Sequence, residues 1–141
     1  MRIPTHAAWV LLVSNLAVGS IAGAQELPSL LCASREVMEC SQPDGCAEVP
    51  LASAGVPSFV RLDLVAETVT VPGQELRSVI ESLSEVDGKI ILHGTDPGVP
   101  DVRDGSAWTI TISEQTGDMV ATASGEGFAY LIFGVCLVET D

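Results

Sequence analysis

The chain has few positively charged residues. It has six Lys and Arg residues against 19 Asp and Glu residues, so its formal net charge at pH 7 is −13. Proteins that bind nucleic acids or anionic membrane surfaces do so largely through clusters of Lys and Arg. The composition therefore argues against a nucleic-acid partner or a membrane-surface partner. The negative charge would instead attract basic proteins, cationic ligands or metal ions. An alternative is that the charge only keeps the protein soluble.

Residues that carry catalysis are also scarce. After the first 24 residues the only histidine is His93, and the sequence contains neither G-x-S-x-G nor C-x-x-C. A histidine that activates a nucleophile needs that nucleophile and an orienting carboxylate nearby, and only Asp96 is close in sequence. We predict that the protein is not an enzyme, that it needs no metal ion or other cofactor, and that His93 packs or lies at the surface.

Only one apolar segment is long, and it lies at the N-terminus. One arginine precedes the apolar segment Ala7–Ile21, and residues 22–24 form a small-x-small site. This order is typical of a secretory signal peptide with its cleavage site. Polar residues interrupt the segment, which argues against a membrane anchor, and a leucine precedes Cys32, which argues against a lipoprotein. We predict a leader at 1–24 and an exported, periplasmic or secreted single domain at 25–141.

Four cysteines follow the leader, at Cys32, Cys40, Cys46 and Cys136. An even number of cysteines in an exported protein predicts two disulfides, for which three connectivities exist. We favour Cys40–Cys46, because the sequence S-Q-P-D-G between them is typical of a turn. The remaining pair, Cys32–Cys136, would tie the first strand to the last. The spacing lacks the paired C-x2-4-C elements of a zinc site.

Turn-forming residues divide the rest of the chain into short segments of β-forming residues. Apolar and polar side chains alternate at 59–66 and 108–112, and 128–138 is a longer segment that is apolar on both faces. Gly134 within that segment indicates a bulge or a close backbone approach. We count seven to nine strands and predict an all-β fold, a small antiparallel meander barrel or sandwich, in which the first strand closes onto the last.

Two further segments bear on the fold and on function. Residues 75–85 fit a strand or a helix, and the β-rich neighbourhood favours the strand. Residues 94–105 contain Asp-Pro-Gly, Pro-Asp and Asp-Gly, and we predict that they form the longest loop. Long loops in compact domains are often functional, although the carboxylate spacing here differs from that of a calcium-binding loop. The candidate interaction residues are Asp96, Asp101, Asp104 and Ser106.

Aromatic residues are few, and those of the predicted domain lie mostly in its last third. Trp108, Phe128 and Tyr130 are the candidates for lining a ligand cavity in the mouth of a barrel. The alternative is that these side chains belong to a solid core. In that case Trp108 and Tyr130 each need a hydrogen-bond partner.

The last third also resembles known sequences. It contains W-x-I-x-I from residue 108, T-G-x-M from residue 116 and A-Y-x-x-F-G-x-C from residue 129. These patterns resemble the C-terminal end of small exported cysteine-containing proteins of unknown function from alphaproteobacteria. In outline the chain is also similar to the small β-barrel lysozyme inhibitors of the periplasm. Gly105-Ser106 is the nearest match to their inhibitory loop, and no role is transferred.

These observations lead to two expectations about function. The first is an exported, non-catalytic binding protein that holds a small apolar ligand in a β-barrel. The alternative is an acidic periplasmic inhibitor or interaction protein, which uses its surface charge and the predicted loop at 94–105 against a basic partner such as a lysozyme.

Overall fold

A computed structural model describes residues 29–42 and 44–140. The predicted leader and its cleavage site lie outside these residues. The described part contains ten strands, and none of its segments is a helix suited to crossing a membrane. In chain order the strands are β1 (Ser29–Ser41), β2 (Gly45–Val49), β3 (Phe59–Asp63), β4 (Thr68–Thr70), β5 (Arg77–Val79), β6 (Ser82–Glu85), β7 (Lys89–Asp96), β8 (Ser106–Ser113), β9 (Asp118–Gly125) and β10 (Phe128–Val138).

The strands form one antiparallel sheet that curls into a half-barrel. The order across the sheet is β5-β4-β3-β1-β10-β9-β8-β7-β6, and β2 pairs with β1 outside this order. β3 pairs with the first half of β1 and β2 with its second half. The all-β meander is therefore confirmed, as is the pairing of the first strand with the last. β10 is central in the order, but its outer face leaves Phe133 and Leu137 exposed to solvent.

The two ends of the sheet meet at residues 77–85, and this segment confirms the strand interpretation over the helix. β5 pairs with β4, whereas β6, which follows it, pairs with β7. Between them the amide of Ile80 donates to the carbonyl oxygen of Glu67, and the amide of Glu81 donates to that of His93, both at 2.8 Å. The segment thus crosses from one end of the sheet to the other. The end of β7 has no strand partner on this side among the described residues, so a gap remains beside β5.

Turns end β3 and β2, and β3 is shorter than the alternating segment 59–66 predicts. β3 ends at Asp63, whose carboxylate oxygen Oδ1 accepts hydrogen bonds from the amides of Val65 and Ala66 at 3.1 and 2.7 Å. This turn is typical of aspartate and stops the alternating segment before residue 66. β2 ends at Val49, because Pro50 starts a turn whose carbonyl oxygen accepts from two later amides.

The predicted loop at 94–105 is shorter than expected. Gly94, Thr95 and Asp96 belong to β7 and pair with Trp108, Ala107 and Ser106 of β8. In the sequence Gly94 indicates the end of a strand, but in the structure it lies within β7. It does so because only a residue without a side chain fits opposite the Trp108 ring. The loop proper is 97–105.

Both predicted disulfides are present. Cys32 is bonded to Cys136 across β1 and β10, and Cys40 is bonded to Cys46 across β1 and β2. Each pair occupies directly opposite positions in the strand register. The expected irregularity at Gly134 is also present. The register of β1 shifts between Ser34 and Glu36 opposite this glycine, and a side chain at 134 would overlap the carbonyl oxygen of Ala33.

Apolar side chains fill one end of the half-barrel, which we call the packed end. It consists of Leu30, Leu62, Ile90, Ile112 and Met119, each at most 9% exposed. These residues are register partners on neighbouring strands or lie one strand apart. The disulfide Cys32–Cys136 adjoins this group, so the longest covalent loop is fixed where the side chains pack most completely.

Candidate ligand-binding cavity

The inward-facing side chains become smaller toward the other end of the half-barrel. Along β9 they are Met119, Ala121, Ala123 and Gly125, in that order away from the packed end. Met119 and Ala121 are buried, whereas Ala123 is only half-buried. Two alanines and a glycine cannot fill the space that a curled sheet encloses, because core filling requires close contact between large side chains. The space above Ala121 is therefore open.

This space is a cavity of about 740 Å³. Ligand cavities in proteins commonly measure about 300–1,000 Å³ and are mostly apolar with a few polar groups. Ile110, Met119 and Ala121 form the floor, and they are also members of the core. Half-buried apolar side chains form the wall, and exposed residues form the rim. The wall contains Val60, Val69, Trp108 and Ile132, and the rim contains Leu76, Arg77, Val79, Glu81, Thr95, Asp96 and Pro97.

Trp108 is the largest side chain of the wall, and it lies against Gly94. The two residues are directly opposite on β8 and β7. A Cβ atom at Gly94 would lie 2.7 Å from indole carbon Cε2, closer still to Cζ2, and 2.5 Å from the carbonyl oxygen of Val79. The ring therefore lies flat across the backbone of Gly94, next to the gap between β5 and β7. An aromatic ring that covers a glycine on a neighbouring strand also supports the pairing of the two strands.

The rim includes charged residues of both signs. Arg77 is the one basic residue of the cavity lining, and Glu81 and Asp96 are the acidic ones. The hydroxyl of Thr95 donates to Glu81 Oε1, and the amide of Gly98 donates to Asp96 Oδ1 at 2.9 Å. The ion pairs found among the described residues involve Arg61, Lys89 and Arg103. Arg77 belongs to the row Arg61, Thr70, Arg77 across β3, β4 and β5, so its side chain lies on the outer face of the sheet with Arg61.

Of the three aromatic residues expected in the cavity wall, only Trp108 is there. Phe128 and Tyr130 lie on the same side of β10 as Ile132 but farther from the core, because side chains on one face of a strand recur every two residues. Their rings contact each other, with centroids 5.5 Å apart and planes tilted by 55°. Phe128 instead borders a shallow hollow of about 470 Å³ at the hairpin of the Cys40–Cys46 disulfide.

The four candidate interaction residues do not form one cluster. Asp96 and Ser106 are opposite each other where β7 and β8 meet the loop. Asp104 Oδ1 accepts from the amide of Val99 at 2.8 Å, as Asp96 does from Gly98. Asp101 is exposed and has a positive φ of 65°. Two of the three carboxylates therefore hold the loop together, which is the turn-forming role of aspartate.

His93 lies away from the cavity. Its Nδ1 is 3.4 Å from the hydroxyl oxygen of Thr109 on the neighbouring strand, and its ring is half-buried on the outer face. Within residues 29–42 and 44–140, no three His, Cys, Asp or Glu side chains are grouped closely enough to hold a metal ion.

One electrostatic contact reinforces the packed end from outside. Arg61 of β3 donates to both carboxylate oxygens of Glu139 at 2.7 and 2.8 Å, which is a bidentate pair. The hydrogen bond and the charge of Glu139 raise the pKa of Arg61, and the same hydrogen bond from Arg61 lowers the pKa of Glu139. Because Glu139 directly follows β10, the pair joins the end of the last strand to β3.

Comparison with protein families, with curated proteins and with solved structures gives no significant match for this chain. The sequence does not predict the lining residues between 69 and 81, because they belong to short strands without strong alternation. The decrease in side-chain size along β9 is the sequence signal that predicts where the space lies.

Proposed function

We propose that the protein is an exported, non-catalytic binding protein that holds a small apolar ligand in the half-barrel cavity. The observation that carries this proposal is the cavity of about 740 Å³ with an apolar floor and wall. The floor residues are core residues, so the base of the cavity is formed by the fold before any ligand arrives. Burial of an apolar ligand there gains about 25 cal/mol per Å² of apolar surface removed from water.

Export is part of the proposal and is supported by the two disulfides, because such bonds persist in oxidising compartments. The protein would be recovered from the periplasm of a Gram-negative host and weighed intact under denaturing conditions without reductant. We expect a chain that starts at Gln25 and is lighter than its reduced form by four hydrogen atoms. A chain that starts at Met1, or one with free thiols, would contradict this part of the proposal.

Binding is tested with Nile red, a neutral apolar dye whose emission rises and shifts to the blue in apolar surroundings. We expect saturable binding to the wild-type protein. In an Ala123→Phe variant the new ring projects between Trp108 and Tyr130, the register partners of Ala123. We expect Nile red affinity to fall about tenfold or more, which corresponds to about 1.4 kcal/mol or more.

The matched control is Val120→Phe, which enlarges an exposed residue on the outer face of the same strand. We expect this variant to bind Nile red as the wild type does. Thermal unfolding of both variants establishes that they are folded. Equal loss of binding in both variants, or no saturable binding to the wild type, would exclude the cavity as the site.

The alternative, an acidic interaction protein for a basic partner, is favoured by one observation. The loop at 97–105 exposes the apolar side chains of Val99 and Val102 next to Asp101. This candidate function predicts a salt-sensitive complex with lysozyme, which Asp101→Asn would weaken. Lysozyme activity that is unchanged by excess protein at low salt would reject it for that partner.

A further inference from the structure

The direction in which each lining side chain points indicates which class of apolar ligand the cavity accepts, an inference that rests on the proposed ligand-binding function. Directly opposite residues of paired strands share a face of the sheet, and the faces alternate along each strand. Arg77 shares a row with Arg61 on the outer face. Glu81 accepts a hydrogen bond from Thr95, which follows the inward-facing Gly94 and therefore points outward. Neither of these charges lies within the cavity.

One lining carboxylate has an inward-facing strand position, and it lies at the mouth. Asp96 is opposite Ser106, two residues beyond the inward-facing Gly94. Its side chain is exposed, and its Oδ1 accepts from the amide of Gly98 in the loop. No strand turns a cationic side chain of the described lining inward. An anionic group would therefore meet a carboxylate at the mouth and no cation inside, where an unpaired charge is costly.

Two neutral hydroxyl groups do face the cavity. Ser34 is opposite Gly134, which is itself opposite Met119 of the floor, and Ser78 is opposite Val69 of the wall. Neither hydroxyl makes a hydrogen bond within the described residues. In the same part of the chain no fully buried side-chain oxygen lacks a partner. The two hydroxyls are therefore accessible, and the space that they reach is the cavity.

We propose that the cavity binds an uncharged apolar molecule that carries a hydroxyl group, such as a long-chain alcohol. The hydroxyl of the ligand forms a hydrogen bond with Ser34 or Ser78, and its hydrocarbon part lies on Ile110 and Ile132. Because a serine hydroxyl and an alcohol both donate and accept, the two groups can pair in either direction. Apolar surroundings strengthen such a bond, whereas they penalise an unpaired charge.

The experiment measures displacement of Nile red by four probes with the same octyl chain, which are octanol, octyl chloride, octanoate and octyltrimethylammonium. The Nile red affinity of each variant is measured first, so that displacement yields an affinity for each probe. The ratio of the octanol affinity to the octyl chloride affinity isolates the contribution of the hydroxyl. We expect Ser34→Ala combined with Ser78→Ala to lower this ratio about fivefold, which is the usual contribution of one hydrogen bond.

Further variants assign the hydrogen bond and test the charge argument. The loss should appear in at least one of the single variants Ser34→Ala and Ser78→Ala. The matched control is Ser84→Ala, which changes an exposed serine of β6 outside the cavity lining and should leave the ratio unchanged. Asp96→Asn should strengthen octanoate binding severalfold, because it removes a repulsion at the mouth.

The results separate this inference from the proposed function. If the folded double variant retains the wild-type ratio, or if octanoate or octyltrimethylammonium binds as tightly as octanol, the hydroxyl inference fails and the apolar cavity stands. An equal fall of the ratio in the Ser84→Ala control also overturns it. If neither Nile red nor any probe binds to the folded wild-type protein, the proposed function fails as well.

Discussion

The packed end of the half-barrel and the opposite end, which contains the cavity and which we call the open end, are formed by the same strands. They differ in how much of the enclosed space their inward-facing side chains fill. From the packed end outward these residues are Ile90, Leu92 and Gly94 on β7, Ile112, Ile110 and Trp108 on β8, and Met119, Ala121 and Ala123 on β9. The backbone pairing is equally regular along all three strands. Strand pairing therefore determines the shape of the enclosure, and side-chain volume determines whether it becomes core or cavity.

The two disulfides provide the largest expected contrast between the regions. Cys32–Cys136 adjoins the packed end, is almost fully buried and closes a loop with a sequence separation of 104 residues. Cys40–Cys46 has a separation of six residues and lies in the exposed hairpin beyond the open end. In the chain-entropy model, cross-links of these lengths stabilise by about 4.7 and about 2.4 kcal/mol.

We therefore expect a C32A/C136A variant to lose about twice as much unfolding free energy as a C40A/C46A variant, as measured by urea denaturation. The loss in the first variant is large enough to unfold a domain of marginal stability. Near-equal losses would show that the buried position and the long loop contribute nothing beyond the bond itself. That result would contradict the expected difference between the two disulfides.

A second contrast concerns side chains of similar size in the buried core and in the cavity wall. Leu92 is fully buried, and Leu92→Ala should cost about 2–5 kcal/mol, because it removes buried methyl groups and leaves a new void. Ile132 borders the existing cavity and is half-buried. Ile132→Ala should cost about 1 kcal/mol, because it enlarges a space that is already open and loses only part of the transfer free energy.

The measurement is again the urea midpoint, together with Nile red affinity. Ile132→Ala should change Nile red binding, whereas Leu92→Ala should change it only through the fraction of folded protein. A larger loss of stability at Ile132 than at Leu92 would mean that the cavity wall, and not the buried core, holds the half-barrel together.

These contrasts also show how far the sequence determines the outcome. The alternation at 108–112, the cysteine pairing and the irregularity at Gly134 all follow from local rules, because each depends on strand period, turn chemistry or glycine geometry. The crossing of residues 77–85 from one end of the sheet to the other is harder to predict, since two short strands with different partners look like one segment in the sequence. Residue type alone makes Phe128 and Tyr130 candidates for the cavity wall or for a solid core, and only the structure shows that their positions on β10 lie far from the cavity floor.

Gly94→Ala should have an intermediate effect, and it tests whether the cavity wall is fixed. A methyl group there overlaps the Trp108 ring and approaches the carbonyl oxygen of Val79, so the ring must move. Overpacking of this kind costs about 1–3 kcal/mol. Trp108 is the only tryptophan of the predicted mature domain at 25–141, and we expect its emission to shift to the red and Nile red binding to weaken.

The control for Gly94→Ala is the double variant Gly94→Ala with Trp108→Leu. A smaller side chain at 108 removes the overlap with the ring, so part of the stability loss should be recovered and the two changes should be non-additive. Purely additive losses would mean that the ring and the glycine do not contact each other in solution.

The smallest expected effect concerns the Arg61–Glu139 pair outside the packed end. Arg61 lowers the pKa of Glu139 below its ordinary value of 4.5 in the folded protein. The unfolded chain therefore binds more protons in acid than the folded protein does. The contribution of the pair to stability is present above the ordinary pKa of Glu139 and is lost as the pH falls through its folded-state pKa.

Glu139→Gln should consequently lower the urea midpoint slightly near neutral pH, and the difference from wild type should disappear in acid. The matched control is Glu126→Gln, which breaks the more exposed Arg103–Glu126 pair at 3.2 Å. Exposed ion pairs with a single contact contribute little to stability, whereas a bidentate pair is expected to contribute a measurable amount. An equal shift for both variants, or a difference that grows in acid, would show that Glu139 does not join β10 to β3 through its charge.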